Sequence, residues 1–232
     1  MAELTLSVVV PSHRDAKALA DLLPTLAQDN CEIVVVGSEA DATTTTLCEE
    51  FGARYIHTDP CRGGQLDAGA KHSSGNVIWF LHADAHPPKD AGAQIRTAVS
   101  QGATAGFFPF QFAGARTLGK TLLAAAINLR VKLGGIPYGD QGLFAMRQAY
   151  EMAGGFPHAP LFEEVRLVKR LRRQGHMIRL PTPLLISPRR WERDGWWQRS
   201  LNNRWLAVRF MFGAAPESLA RRYTGNRQPP RN

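Results

Sequence analysis

Five consecutive apolar residues, Val77-Ile78-Trp79-Phe80-Leu81, break off into His82, Asp84 and His86 and are then stopped by Pro87-Pro88. A short run without polar alternation reads as a strand buried on both faces, as in a parallel sheet covered by helices. Proline has no N–H for a sheet ladder, so Pro87 and Pro88 end the run. Open α/β sheets place ligands beyond the carboxyl ends of their strands, where His82, Ala83 and Asp84 fall. Asp84 offers oxygen to a hard cation such as Mg²⁺ or Mn²⁺, and His82 offers nitrogen. The alternative is that Asp84 caps the next helix and the histidines are incidental.

The rest of the chain reads as alternating strands and helices. Leu4 to Val10 is the first strand, closed by Pro11-Ser12-His13-Arg14-Asp15, and a helix over 16–27 places Leu19, Leu22, Leu23 and Leu26 on one face. A second strand over 33–36, a threonine-rich helix and a short strand around 55–57 follow. Arg62-Gly63-Gly64-Gln65-Leu66-Asp67-Ala68-Gly69-Ala70 reads as a glycine loop that lets the backbone approach a ligand. It leads into a helix whose N-terminus favours an anion; an ordinary glycine turn is the alternative. After a helix over 89–101, Phe108, Phe110 and Phe112 alternate along a strand that Pro109 bends or places at an edge. A helix over 117–133 precedes the tight turn Pro137 to Gly142, in which Asp140 suits a plain turn as well as a site.

In the helix from Leu161 to Arg173, Glu164 shares the apolar face with Val168 and Leu171, whereas Glu163 falls with Arg170 on the solvated side. An inward carboxylate needs a partner or a cleft. A cleft would raise its pKa toward that of a general base. Strands over 176–180 and 184–187 precede Arg189-Arg190, whose guanidinium groups suit a diphosphate. The last helix, over 197–212, lines up Trp197, Leu201, Trp205, Val208 and Phe212, with Arg199, Arg204 and Arg209 interleaved. It is expected to cover the domain's own core, the alternatives being a membrane surface or a second subunit. The tail from Gly225 is polar and proline-rich and is expected to be disordered.

The three cysteines are odd in number and lie in no metal-type spacing, as expected in a reducing cytosol. The start shows no leader pattern and no segment approaches ~18 uninterrupted apolar residues. A cytoplasmic protein, peripheral at most at the inner face of the membrane, is expected. The net charge of +8 lies mostly after residue 165 and suggests an anionic partner. No Gly-x-Gly-x-x-Gly follows the first strand and there is no Gly-Lys-Ser/Thr loop, which disfavours the usual dinucleotide and P-loop classes. The arginines do not form a nucleic-acid-reading motif, so no nucleic acid is expected.

In their order and spacing, Ser7 to Ser12, Arg62 to Ala70, Phe80 to Asp84, Gly154-Gly155-Phe156 and Phe162 to Val165 resemble the family 2 glycosyltransferases with the GT-A fold. The Leu81-His82-Ala83-Asp84 signature, the Tyr138 to Gly142 turn and Arg189-Arg190-Trp191-Glu192 look like those of the bacterial arsenosugar-biosynthesis branch. The resemblance implies an α/β fold with a mostly parallel central sheet flanked by helices. It implies a GT-A domain over 4–190, a helical extension over 191–224 and a tail over 225–232. It further implies a UDP- or GDP-sugar donor, Mn²⁺ or Mg²⁺, and transfer of one sugar to an acceptor hydroxyl with inversion. A catalytically inactive nucleotide-sugar-binding protein is the alternative.

Carried over residue by residue, Glu164 matches the base and Asp84 the last, metal-holding acid of the family's Asp-x-Asp. Pro11, Ser12, His13 and Asp15 fall on the nucleoside side. Arg62, Gln65, Asp67, His82, Ala83, Asp140, Arg189 and Arg190 complete the implied donor site. The chain departs from the pattern in having His82 for the first Asp, Glu164 for the commoner Asp and Asp67 for the usual Asn. It also lacks the acid just after the second strand, where Gly37-Ser38 stands. Asn202-Asn203-Arg204-Trp205 only partly matches the processive-synthase motif, so transfer of a single sugar is implied.

Overall fold

Leu6–Ser12 (β1) and Cys31–Gly37 (β2) are runs of valine and isoleucine, and their central residues are fully buried. Successive side chains of a strand point to opposite faces. Val8 and Val10 therefore enter one core with Leu19, Leu22 and Trp79, while Val9 enters a second core with Ile78, Phe80 and Leu167. A sheet with apolar groups on both faces must be covered on both, as it is in this computed structural model, which describes residues 4–39 and 41–225. The expected disordered tail, apart from Gly225, lies outside the described residues.

The first half is a run of strand–helix units: β1, α1 (Ala16–Leu26), β2, α2 (Ala42–Glu50), β3 (Arg54–His57), α3 (Arg62–His72) and β4 (Val77–Phe80). β3, β2, β1 and β4 pair in parallel in that order. Beyond β4 come β5 (Ala85–His86), α4 (Ala91–Ser100), β6 (Ala105–Phe107), β7 (Phe110–Phe112), α5 (Leu118–Lys132), β8 (Phe144–Met146), α6 (Arg147–Met152), α7 (Glu163–Gln174), β9 (Met177–Arg179) and β10 (Leu184–Ile186). β8 runs antiparallel between β4 and β6, and β9 closes the seven-stranded sheet beside β6. β5, β10 and β7 form a second, three-stranded sheet. The helices α8 (Arg189–Asp194), α9 (Trp196–Met211) and α10 (Pro216–Gly225) end the described chain.

Three expectations are corrected. The segment around Phe108 to Phe112 is not one strand. Pro109 breaks it, so that β6 joins the large sheet and β7 pairs with β10, because proline cannot donate to a ladder. The Arg62 to Ala70 segment is not a loop. Arg62 opens α3, and a Cβ on Gly63 would overlap the carbonyl of Pro157. Its glycine thus serves contact with another part of the chain. Finally, the α9 stripe faces solvent: Trp197 is 83%, Leu201 63% and Phe212 89% exposed. The opposite face packs inward, with Leu206 2% exposed and Phe210 stacked on Phe162 at 4.8 Å. Among the described residues no helix is long and apolar enough to cross a membrane.

Candidate active site

β4 ends at the carboxyl edge of the sheet, where Leu81 N–H donates to the Val9 carbonyl at 3.0 Å. A tight turn follows, with Ala85 N–H donating to the His82 carbonyl at 3.1 Å. This turn brings His82 and Asp84 into a cleft whose other walls are Tyr138 to Asp140, Leu161 to Glu164, Ile186, Arg190, Trp191 and one side of α9. Asp84 does not cap α4, whose N-cap position is Asp90. Its carboxylate is 7% exposed, 3.4 Å from Arg190 Nε and 4.0 Å from His82 Nδ1.

Arg62 occupies the middle of the cleft. Its Nε lies 2.7 Å from Glu163 Oε1, and its Nη2 lies 3.3 Å from Glu164 Oε1 and also contacts His82 Nε2. An arginine only donates, so His82 Nε2 accepts, and the ring hydrogen of the neutral imidazole sits on Nδ1, toward Asp84. Burial and the Arg62 and Arg190 charges hold the His82 pKa well below its ordinary value, so it is neutral at pH 7.

Glu163 and Glu164 open α7, where the helix dipole favours negative charge. The backbone enters through Phe162 at φ +61°, a left-handed conformation that costs a non-glycine residue about 1–2 kcal/mol. Tyr138 and Phe210 flank its ring. Glu164 Oε1 also accepts from the Gly139 N–H at 2.8 Å. The carboxylate is thus fixed by two donors at the wall of the cleft, as both a paired group and a cleft group. Glu163 is 1% exposed, not solvated as its helical phase suggested. Burial pushes its carboxyl pKa up, against the Arg62 charge. Asp140 is pushed up to about 6, by burial first and then by the Glu164 charge.

The structure therefore brings together Glu164, Arg62, His82, Asp84, Asp140 and Arg190 among the residues singled out from the sequence. The others lie outside this cleft. Gln65 is buried and its amide nitrogen donates to the Ser12 and Val36 carbonyls, both at 3.1 Å. It ties together the carboxyl ends of β1 and β2. Asp67 accepts from the Tyr150 hydroxyl at 2.9 Å and pairs with Lys71 at 2.8 Å. Ser12 is buried and Pro11 half-buried at the end of β1, Asp15 precedes α1, and exposed His13 lies 2.9 Å from the Ser38 hydroxyl. Ala83 is buried, and Arg189 is exposed at the start of α8.

Sequence reasoning missed Glu163, Phe162, Tyr138 and the inner side of α9. The tandem acids after Phe162 were the available signal. Helical phase misplaced Glu163 because first-turn side chains look over the end of the helix as well as along its face.

Among the described residues no group of three or more His, Cys, Asp and Glu could hold a metal ion by itself. The donor present, the buried Asp84 carboxylate, fits a hard cation that takes most of its other ligands from phosphate oxygens and water, whereas His82 Nε2 is taken up by Arg62.

The fold matches those of several solved structures. TarS 1-349 from S. aureus aligns with a TM-score of 0.64 at 14% identity, covering 79% of this chain and 61% of that one. The same TarS region has been solved in complex with UDP-GlcNAc. The mannosyltransferase PcManGT from Pyrobaculum calidifontis, in complex with GDP-Man and Mn²⁺, aligns at 0.64 and 18% identity, covering 95% of this chain and 70% of that one. Glucosyl-3-phosphoglycerate synthase from Mycobacterium tuberculosis, with Mn²⁺, UDP and glucosyl-3-phosphoglycerate, aligns at 0.56 and 21%, covering 80% and 72%. The chain spans less than two thirds of the TarS region it matches. No curated protein matches in sequence. The α/β architecture, with its mostly parallel central sheet between helices, is the GT-A fold. The family description "Glycosyl transferase family 2" matches residues 7–153, and on that match the chain belongs to this family.

Proposed function

We propose that the protein moves one sugar from a nucleotide-diphosphate sugar to an acceptor hydroxyl, with inversion and with help from a divalent cation. The observation that carries this reading is Glu164. Its carboxylate is held by Gly139 N–H and Arg62 in the same cleft as Asp84 and Arg190. In that arrangement Glu164 takes the proton of the acceptor hydroxyl. The acceptor oxygen forms its bond to the sugar's anomeric carbon from the face opposite the diphosphate, which leaves with the electron pair of the broken bond. One base and one displacement suffice, and no covalent enzyme intermediate is needed. Arg190 supplies fork-shaped, charge-assisted contacts to the diphosphate.

A divalent cation would be held by Asp84, where it would neutralise charge on the departing diphosphate. The solved relatives are consistent with this chemistry, since they were crystallised with UDP-GlcNAc, with GDP-Man and Mn²⁺, or with UDP and Mn²⁺. UDP- and GDP-sugars are therefore the first donors to test, and the arsenosugar-type motifs at Leu81 to Asp84 and Tyr138 to Gly142 add that branch's acceptors to the screen. His13 and Asp15, at the open end of β1, are assigned to the nucleoside side of the donor.

The test combines melting temperature with product formation. A donor that binds only the native state raises the melting temperature by mass action. One nucleotide sugar should do so in the presence of Mn²⁺ or Mg²⁺ and not with chelator. Asp84→Asn should abolish that metal-dependent shift. Glu164→Gln should keep the shift and lose transfer by about 10²-fold or more, the scale of a lost general base. Undiminished transfer by both variants would exclude the mechanism. A donor shift without turnover on any acceptor would favour the non-catalytic binding protein.

A further inference from the structure

Two helices turn apolar side chains to solvent: α9, whose inner side walls the cleft, and α5. On α5, Leu118, Leu122, Leu129 and Leu133 are 77%, 61%, 55% and 77% exposed. They recur every seven or four residues, so they form one stripe. On α9 the stripe is Trp197, Leu201, Trp205, Val208 and Phe212. The helices are linked at both ends. Lys120, near the start of α5, lies 5.8 Å from the Trp196 ring at the start of α9. At the far ends, Arg130 stacks over Tyr138, Tyr138 meets Phe162, and Phe162 stacks on Phe210. Tyr138, Phe162 and Leu206 are also walls of the cleft.

Neither helix contains an aspartate or a glutamate. Lys120 of α5 and Arg199 of α9 are turned inward and pair with Glu192 and Asp194 of α8, which leaves Lys132, Arg204 and Arg209 as the exposed basic groups. A contact between two copies related by a twofold axis would set the exposed Lys132, Arg204 and Arg209 against their own counterparts, with no carboxylate on either helix to meet them. An anionic lipid surface complements them, since phosphate headgroups meet the basic groups while the tryptophan and leucine side chains enter the interface. We propose that the α5 and α9 stripes dock the protein on an anionic bilayer, with the cleft mouth at the membrane surface. The helices lie in the interface and do not cross it. This docking does not depend on the chemistry proposed above.

Flotation with lipid vesicles tests it on the full chain. Binding to vesicles rich in phosphatidylglycerol should exceed binding to pure phosphatidylcholine by at least about tenfold, and raised salt should weaken it. Trp197 and Trp205 are exposed, whereas Trp79 and Trp191 are buried, so insertion should shift tryptophan emission to the blue. Leu201→Glu with Val208→Glu should remove the emission shift and reduce flotation about tenfold or more. Leu122→Glu with Leu129→Glu should weaken flotation likewise. Arg204→Gln with Arg209→Gln should reduce it by about 25-fold, given roughly fivefold per basic residue at such a surface. Melting temperatures and far-UV dichroism like those of the wild type establish that the variants are folded. Absence of flotation with anionic vesicles at low salt would overturn the proposal, as would variants that float like the wild type. Concentration-dependent dimerisation abolished by the same substitutions, without vesicle binding, would assign the stripes to a second copy instead.

Discussion

Arg62 holds together a site that would otherwise repel itself, because Glu163, Glu164 and Asp140 converge on one cleft and Arg62 pairs with the first two. The cost shows at Asp140, whose carboxyl is raised from 3.8 to about 6 by burial and by Glu164. The folded protein then binds more protons at this group than the unfolded chain does between those two values, so stability falls as pH rises through that window. Asp140→Asn removes the titration. In melting curves taken across pH, the variant should be more stable than the wild type above pH 6 by about 1–2 kcal/mol, and the gap should close toward pH 4. At this scale the sequence told much about single residues and little about partners. Asp84, His82, Glu164 and Arg62 stand out by spacing and neighbours. Nothing local in Arg62-Gly63-Gly64 indicates that the arginine reaches Glu163 and Glu164, about a hundred positions on, or that Gln65 is consumed by Ser12 and Val36.

The elements are more legible than their contacts. Periodicity places β1, β2, β4, α1, α5 and α9 to within a residue or two, because each is long or strongly apolar. It fails where a tertiary contact sets the conformation. α3 carries three glycines, which local propensity reads as a loop. They belong to a helix because close approach rewards their missing side chains: a Cβ on Gly69 would overlap Val9 and press on Val36. Gly69→Ala should therefore destabilise by about 1–3 kcal/mol, as overpacking does, although alanine is the better helix former by about 1 kcal/mol. Urea unfolding followed by far-UV dichroism measures the difference. Stabilisation would mean that α3 can move off the sheet without penalty. On α9, periodicity finds the stripe and cannot tell which side the protein covers. Leu206 and Phe210, fewer in number, are the ones packed inward.

For the molecule as a whole, the C-terminal helices finish a cleft that the sheet begins. Trp191 packs on Phe110 and Phe112 and seals the small sheet, whereas α9 adds Asn203 and Leu206 to the wall. A chain ending at Gly195 should keep its central sheet and a cooperative melt. It should retain the donor-induced shift, because Asp84 and Arg190 remain, and lose transfer by more than about tenfold through the missing wall. Calorimetry and product assays on the shortened chain separate these effects, and unimpaired transfer would remove α9 from the site. The order of the strands has a further consequence for how the chain is made. β4, apolar and wholly buried in the finished sheet, is paired on one side with β1 and on the other with β8, which comes from residues 144–146. As the nascent chain leaves the ribosome, β1 to β4 can assemble first, but the outer edge of β4 then stays bare for about several seconds at ordinary rates of synthesis. That bare edge is a template for pairing with another nascent chain, so the interval before β8 emerges is when this protein most needs a chaperone.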